Sequence, residues 1–113
     1  MRFARLIVSH DSVVAAPTIL EAHLKVGAPA FGPVRQALEF LLGSATVQVI
    51  AFDAAHLAIA KAALAQYGRG RGHAARLNFG DCMAYAVAKK LDIPLLFKGD
   101  DFIHTDIKSA LRT

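Results

Sequence analysis

Hydrophobic and polar positions change rhythm several times along this chain, and each change marks an element. Residues 2–9 read as the end of a helix. Val13, Val14 and Ala15 form a short β-prone run after the polar His10, Asp11 and Ser12. Pro17 suits the first turn of a helix, where its missing N–H would have no intrahelical partner anyway. The stretch "PTILEAHLKV" then runs to a stop at Gly27, with Pro29 beyond it. A second helix, roughly from Gly32 to Leu42, keeps Val34, Leu38, Leu41 and Leu42 at helical spacing and ends at Gly43. The alternating, β-branched "TVQVIAF" predicts a strand. Asp53 is a good N-cap for the alanine-rich helix that runs to about Tyr67. Asn78 opens "NFGDCMAYAVAKKL", which is apolar almost all round and is predicted to be buried on most sides. "IPLLF" is a continuous apolar run, as expected of a strand with both faces covered.

Strands of four or five residues alternating with helices of ten or more predict the α/β class, a short parallel sheet with helices on both faces. The 113 residues suffice for one domain, spanning 1–113, and no repeat or linker interrupts them. The single cysteine, Cys82, cannot form an internal disulfide and is expected to be a small buried thiol in a reducing, cytoplasmic setting. No apolar run approaches the roughly 20 residues of a membrane helix. The first residues also lack the long apolar stretch and cleavage site of a signal peptide. A net charge of +4 permits a polyanionic partner. Arg69, Arg71, His73 and Arg76 cluster in "YGRGRGHAARLN" between two helices, where a solvated loop is the plain alternative.

Acidic placement changes the picture. Three of only nine acidic side chains, Asp100, Asp101 and Asp106, follow directly on "PLLFKG". In open parallel sheets, sites form beyond the carboxyl ends of strands, and Gly99 lets the backbone turn there. Asp81 occupies the third position of the helix that Asn78 opens, the capping-box place favoured by the helix dipole. That helix start faces the same rim, so cap and ligand are both open. Glu21 sits among Ile19, Leu20, Ala22 and Leu24; it is either a ligand or a surface partner of Lys25 at i,i+4. Carboxylates brought together repel unless a cation lies among them. A hard ion such as Mg²⁺ or Mn²⁺ fits oxygen donors, and with water and phosphate it makes a phosphodiester-hydrolysis site. The histidines and lone cysteine give no zinc spacing. "YGRGRG" is no P-loop, and Ser12, Ser44 and Ser109 sit in no nucleophile elbow.

The stretch "RLNFGDCMAYAVAKKLDIPLLFKGDDFIHTDI" closely resembles the C-terminal half of PIN-domain ribonucleases of the VapC toxin family. The match is specific because it joins "NFGDC", an alanine-rich helix, "PLLFKGDDF" and "HTDI" at the family's spacing. "VVAAPTILEAHLKV" resembles the family's second strand and its glutamate-bearing helix, and "QVIAFDAAHLAIAKAALAQYGRGRGHAARLN" also looks familial. The resemblance implies a three-layer α/β/α PIN-like fold. It also implies a toxin-type endoribonuclease that uses Mg²⁺ or Mn²⁺, with Glu21, Asp81 and Asp100 at the acidic positions and Asp101 as the alternative to Asp100. Lys98, Arg69, Arg71 and Arg76 would contact RNA phosphates. An antitoxin protein would cover the site, on a homodimer. The family's first strand ends in an aspartate ligand that has no counterpart here, because "MRFARLIVSH" resembles the helix after that strand. The expectation is therefore a chain N-terminally truncated relative to the family, and a weaker nuclease than one carrying the strand. The alternative from another class is a catalytically impaired PIN-fold module that only engages an antitoxin or other partner protein.

Overall fold

The computed structural model describes residues 11–25, 27, 32–70, 72, 75–95 and 102–109. The helix expected over residues 2–9 lies outside them. The chain forms two compact units, Met1–Ala51 and Phe52–Thr113.

In the first unit, β1 (Ser12–Ala15) pairs in parallel with β2 (Val47–Ile50), placing Ser12 opposite Val47 and Ala15 opposite Ile50. Parallel neighbours require a crossover. Here α1 (Ala16–Lys25) and α2 (Gly32–Leu42) supply it. Pro17 falls in the first turn of α1, as its fixed φ and missing donor favour. Gly43 ends α2 by donating its N–H to the Glu39 carbonyl at 3.0 Å, and a turn closed by Val47 N–H on Ser44 O (3.1 Å) leads into β2. His23 ties α1 to α2: Nδ1 meets the Ile19 carbonyl at 3.0 Å and Nε2 meets the Glu39 carboxylate. The Ile19 carbonyl first, and then Glu39, raise the His23 pKa.

In the second unit, Asp53 caps α3 (Ala54–Tyr67), its carboxylate accepting from the N–H groups of Ala55 and His56. The His56 ring returns the favour by accepting from Asp53 N–H at 3.1 Å. The His56 N–H, with smaller help from the ring, holds the Asp53 carboxyl below its ordinary value. Asn78 caps α4 (Phe79–Leu91) in the same way. Seven α4 residues are buried, from Gly80 to Ala88, which bears out the reading of this helix as covered on most sides. α4 packs on α3, and the core consists of Ala63, Tyr67, Ala75, Leu77, Cys82, Tyr85 and Phe102. Cys82 is a free buried thiol, as expected. The Tyr67 and Tyr85 rings meet at 5.8 Å between centroids.

The segment between α3 and α4 is clasped at its base. Leu77 N–H donates to Tyr67 O at 2.8 Å, and Arg69 N–H donates to Leu77 O at 2.9 Å. Gly68 is required there by close approach: an added Cβ would lie 2.2 Å from the Leu64 carbonyl oxygen. Asp92 ends α4 in the left-handed conformation, at φ 54°. Of the predicted "IPLLF" strand, Leu95 forms a single parallel bridge with Ser109, and Leu96 and Phe97 lie outside the described residues. A parallel strand pair joined by a helical crossover is the α/β PIN-like arrangement the pattern predicts.

Candidate active site

The local chemistry of the α4 start fixes Asp81. Asn78 Oδ1 accepts from Asp81 N–H at 2.8 Å, and Asp81 Oδ2 accepts from Asn78 N–H at 3.0 Å. These reciprocal bonds satisfy two of the donors that every helix start leaves unpaired. Asp81 is therefore a cap. The same geometry suits a ligand: its carboxylate is half-buried at the positive end of the helix dipole. Its Oδ1 has no partner among the described residues. Next in sequence, burial first and the Asp81 charge second push the Cys82 thiol up.

Residues i, i+4 and i+8 share a helix face, so Asp81, Tyr85 and Lys89 form one stripe along α4. The segment after residue 101 docks on that stripe. The Tyr85 hydroxyl donates to Asp106 Oδ1 at 2.7 Å, and Lys89 Nζ donates to Asp106 Oδ2. Burial, and then the Asp106 bond, push the Tyr85 hydroxyl up. Burial also pushes the Asp106 carboxyl up, but the Lys89 and Tyr85 bonds outweigh it and hold it below the ordinary carboxylate value. The Asp106 bond raises the Lys89 ammonium. Two clefts, of about 340 and 190 Å³, flank Lys89, and Asp81 lines neither. They belong to the packing of α3, α4 and residues 106–108, and the chemistry of Asp81 is at the helix start instead.

The other sequence candidates divide. Glu21 stands half-buried in the middle of α1, in the first unit. Arg69 and Arg76 are exposed at the two ends of the clasped loop. Gly70 and Gly72 take φ of 85° and 75° between them, and Arg76 itself has φ 55°. Arg71, Lys98, Asp100 and Asp101 lie outside the described residues. Among the described residues no group of three or more His, Cys, Asp or Glu side chains forms a metal site. Only donor chemistry bears on a hard cation here: the Asp81 carboxylate keeps Oδ1 outside its capping bonds. Sequence reasoning noted Asp106 but not its partners. The available signal was the i,i+4 pair of a tyrosine and a lysine on the face that carries Asp81.

The chain matches the PIN domain over residues 1–108 and belongs to that family, in its VapC-type branch. Ribonuclease VapC42 of Mycobacterium tuberculosis (strain ATCC 25618 / H37Rv) is 41% identical over 102 residues, covering 90% of this chain and 78% of the relative. Ribonuclease VapC30 of the same strain is 41% identical over 101 residues, covering 89% and 76%. Ribonuclease VapC36 is 42% identical over 106 residues, covering 93% and 75%. No helix among the described residues is long and apolar enough to cross a membrane.

Proposed function

We propose that this chain is a metal-dependent endoribonuclease, the toxin of a toxin–antitoxin pair, working in the cytoplasm as a single PIN domain. The observation that carries the reading is Asp81. It is a carboxylate held by its own helix start, with one oxygen outside the capping bonds, in a chain 41% identical to a protein named ribonuclease VapC42. Asp81, Glu21 and Asp100 hold Mg²⁺ or Mn²⁺, with Asp101 as the alternative to Asp100. When bound, the ion supplies a water of lowered pKa and a counter-charge for the scissile phosphate. The chain's own contribution is orientation. The cap fixes the Asp81 rotamer. Lys98, Arg69, Arg71 and Arg76 contact RNA phosphates and set its register without reading sequence. The antitoxin covers the acidic centre, on a homodimer.

The test is RNA cleavage by the full chain with and without Mg²⁺, beside Asp81→Asn. Cleavage that needs the ion and is lost in Asp81→Asn is the expected result. Cleavage that persists in Asp81→Asn, or in a chelator, overturns the reading. Failure of a folded unmodified chain to cut any RNA, while it still binds a partner protein, would favour the non-catalytic module. If the arginine loop binds RNA, affinity falls steeply between low and high salt.

A further inference from the structure

Phe79 opens α4 and is 75% exposed. A single exposed apolar side chain is ordinary, and Leu20, Leu24 and Phe40 in the first unit are as open. Phe79 differs in what the backbone sets beside it. Asn78 already caps the helix, and Leu77 and Cys82, at the two staple positions around that cap, are both in the core. The helix start is thus closed without Phe79. Two residues on is the half-buried Asp81. Three residues back is Arg76, exposed between the fully buried Ala75 and Leu77 and held at φ 55°. The loop clasp brings a second cation to the same place: Arg69 is exposed, and its N–H donates to Leu77 O at 2.9 Å. A solvent-facing aromatic residue therefore shares the α4 start with two exposed arginines and with Asp81.

We propose that Phe79 is a base-stacking residue: its ring receives an unpaired base of single-stranded RNA at the start of α4, while Arg69 and Arg76 hold the neighbouring phosphates. This rests on the ribonuclease reading above and goes beyond it by naming the substrate class, RNA with an unpaired nucleotide beside Asp81. Every base has a π-face that stacks on an aromatic ring whatever its hydrogen-bonding edge, and cationic side chains supply the attraction for the backbone. In a duplex the bases are already stacked on one another, so aromatic side chains act on unpaired nucleotides. Phe79 thus selects for strand state and not for sequence. The two exposed arginines favour a polyanion over an apolar protein surface as the occupant.

The probe is a set of short single-stranded RNAs carrying 2-aminopurine at each position in turn, titrated with the full chain in chelator so that nothing is cut. The unmodified chain should quench the fluorescence at a restricted set of positions. Phe79→Ala should abolish that quench at saturation and raise the Kd about 5- to 100-fold, with a melt by circular dichroism close to the unmodified one because the ring is exposed. Phe79→Trp should keep both quench and affinity. Phe79→Leu, which keeps apolar bulk without the ring, should behave as Phe79→Ala, and it gives the same decision should Phe79→Ala fail to fold. Salt gives a readout that a merely structural role would not. Phe79→Ala should leave the slope of log Kd against log salt unchanged, since stacking releases no counter-ions, whereas Arg76→Gln should lower it by roughly 0.7. Where only Mg²⁺ supports binding, the KM for RNA cleavage replaces the Kd. Quench and affinity that are unchanged in Phe79→Ala and Phe79→Leu overturn the proposal. If those variants instead shift the sedimentation of the chain at unchanged RNA affinity, Phe79 belongs to a protein interface and the proposal is equally overturned. If the folded unmodified chain neither binds nor cuts RNA, in chelator or in Mg²⁺, the ribonuclease reading fails and takes this one with it. If binding needs Arg69 and Arg76 but not Phe79, only the stacking role falls.

Discussion

Cap and ligand make different demands on the start of α4, and two substitutions separate them. Asn78→Ala deletes the acceptor for Asp81 N–H, a 2.8 Å bond, but leaves Asp81 with its charge and with its own bond to the residue-78 backbone N–H. Losing such a cap costs about 1 kcal/mol. Asp81→Asn keeps the Asn78 bond and replaces a charged acceptor by a neutral amide oxygen. Its loss is the charge–dipole contribution, about 0.3–1 kcal/mol at a helix start. The two variants should therefore lie within about 1 kcal/mol of each other, each melting about 2–6 °C below the unmodified chain. Urea titrations by circular dichroism give the stabilities, thermal melts give the midpoints, and RNA cleavage in Mg²⁺ at a temperature where both variants are folded gives the activity. Cleavage should survive Asn78→Ala within a few-fold and vanish in Asp81→Asn. Equal loss of activity in both folded variants would refute the separation, since Asp81 would then matter only as part of the cap.

Two other perturbations test the second unit. Gly68→Ala forces a Cβ against the Leu64 carbonyl at 2.2 Å, and overpacking against backbone costs about 1–3 kcal/mol. A urea midpoint at or above that of the unmodified chain would show that the loop clasp yields freely. The Asp106 carboxyl is lowered in the fold, facing the Tyr85 hydroxyl and the Lys89 ammonium. Its contribution is thus present above the ordinary carboxylate pKa, about 3.9, and is lost as pH falls through the lowered folded value. The stability gap between the unmodified chain and Asp106→Asn should be flat from pH 7 to about 5 and shrink below that. A gap that stays constant down to pH 3 would contradict the pairing.

Local chemistry was legible in the sequence, and long-range partnership was not. Asn78 and Asp53 announce their helices because a cap is made by a side chain and backbone three residues away. Gly43 closes α2 where the pattern stops, for the same local reason. His56 was passed over as part of an alanine-rich run. It completes the α3 capping box with a ring nitrogen, where the common pattern has a Glu or Gln oxygen. α3 is apolar on every face, yet only His56, Ala63 and Tyr67 are buried. Composition tells that a helix can be covered, and packing decides which of its faces are. Asp106 and Tyr85 are 21 residues apart, and no periodicity within either segment encodes their meeting. The family likeness names Glu21, Asp100 and Asp101 as ligands, because whether distant acids converge is decided by the whole fold and is recorded in no single stretch.

A capping carboxylate proposed as a ligand faces one objection: the backbone donor at Oδ2 withdraws charge from the group a cation would use. The magnitudes argue otherwise. A capping contact stabilises by about 1 kcal/mol and favours the ionised form. It also holds the side chain in one rotamer, so less freedom is lost when an ion arrives. Among the described residues only Oδ2 is engaged, and Oδ1 keeps its acceptor capacity. Asp81 is thus oriented by its own helix start. Asp100 and Asp101 have no such local device in their sequence context. On this argument the start of α4 is the part of the proposed centre whose orientation is set locally, by Asn78.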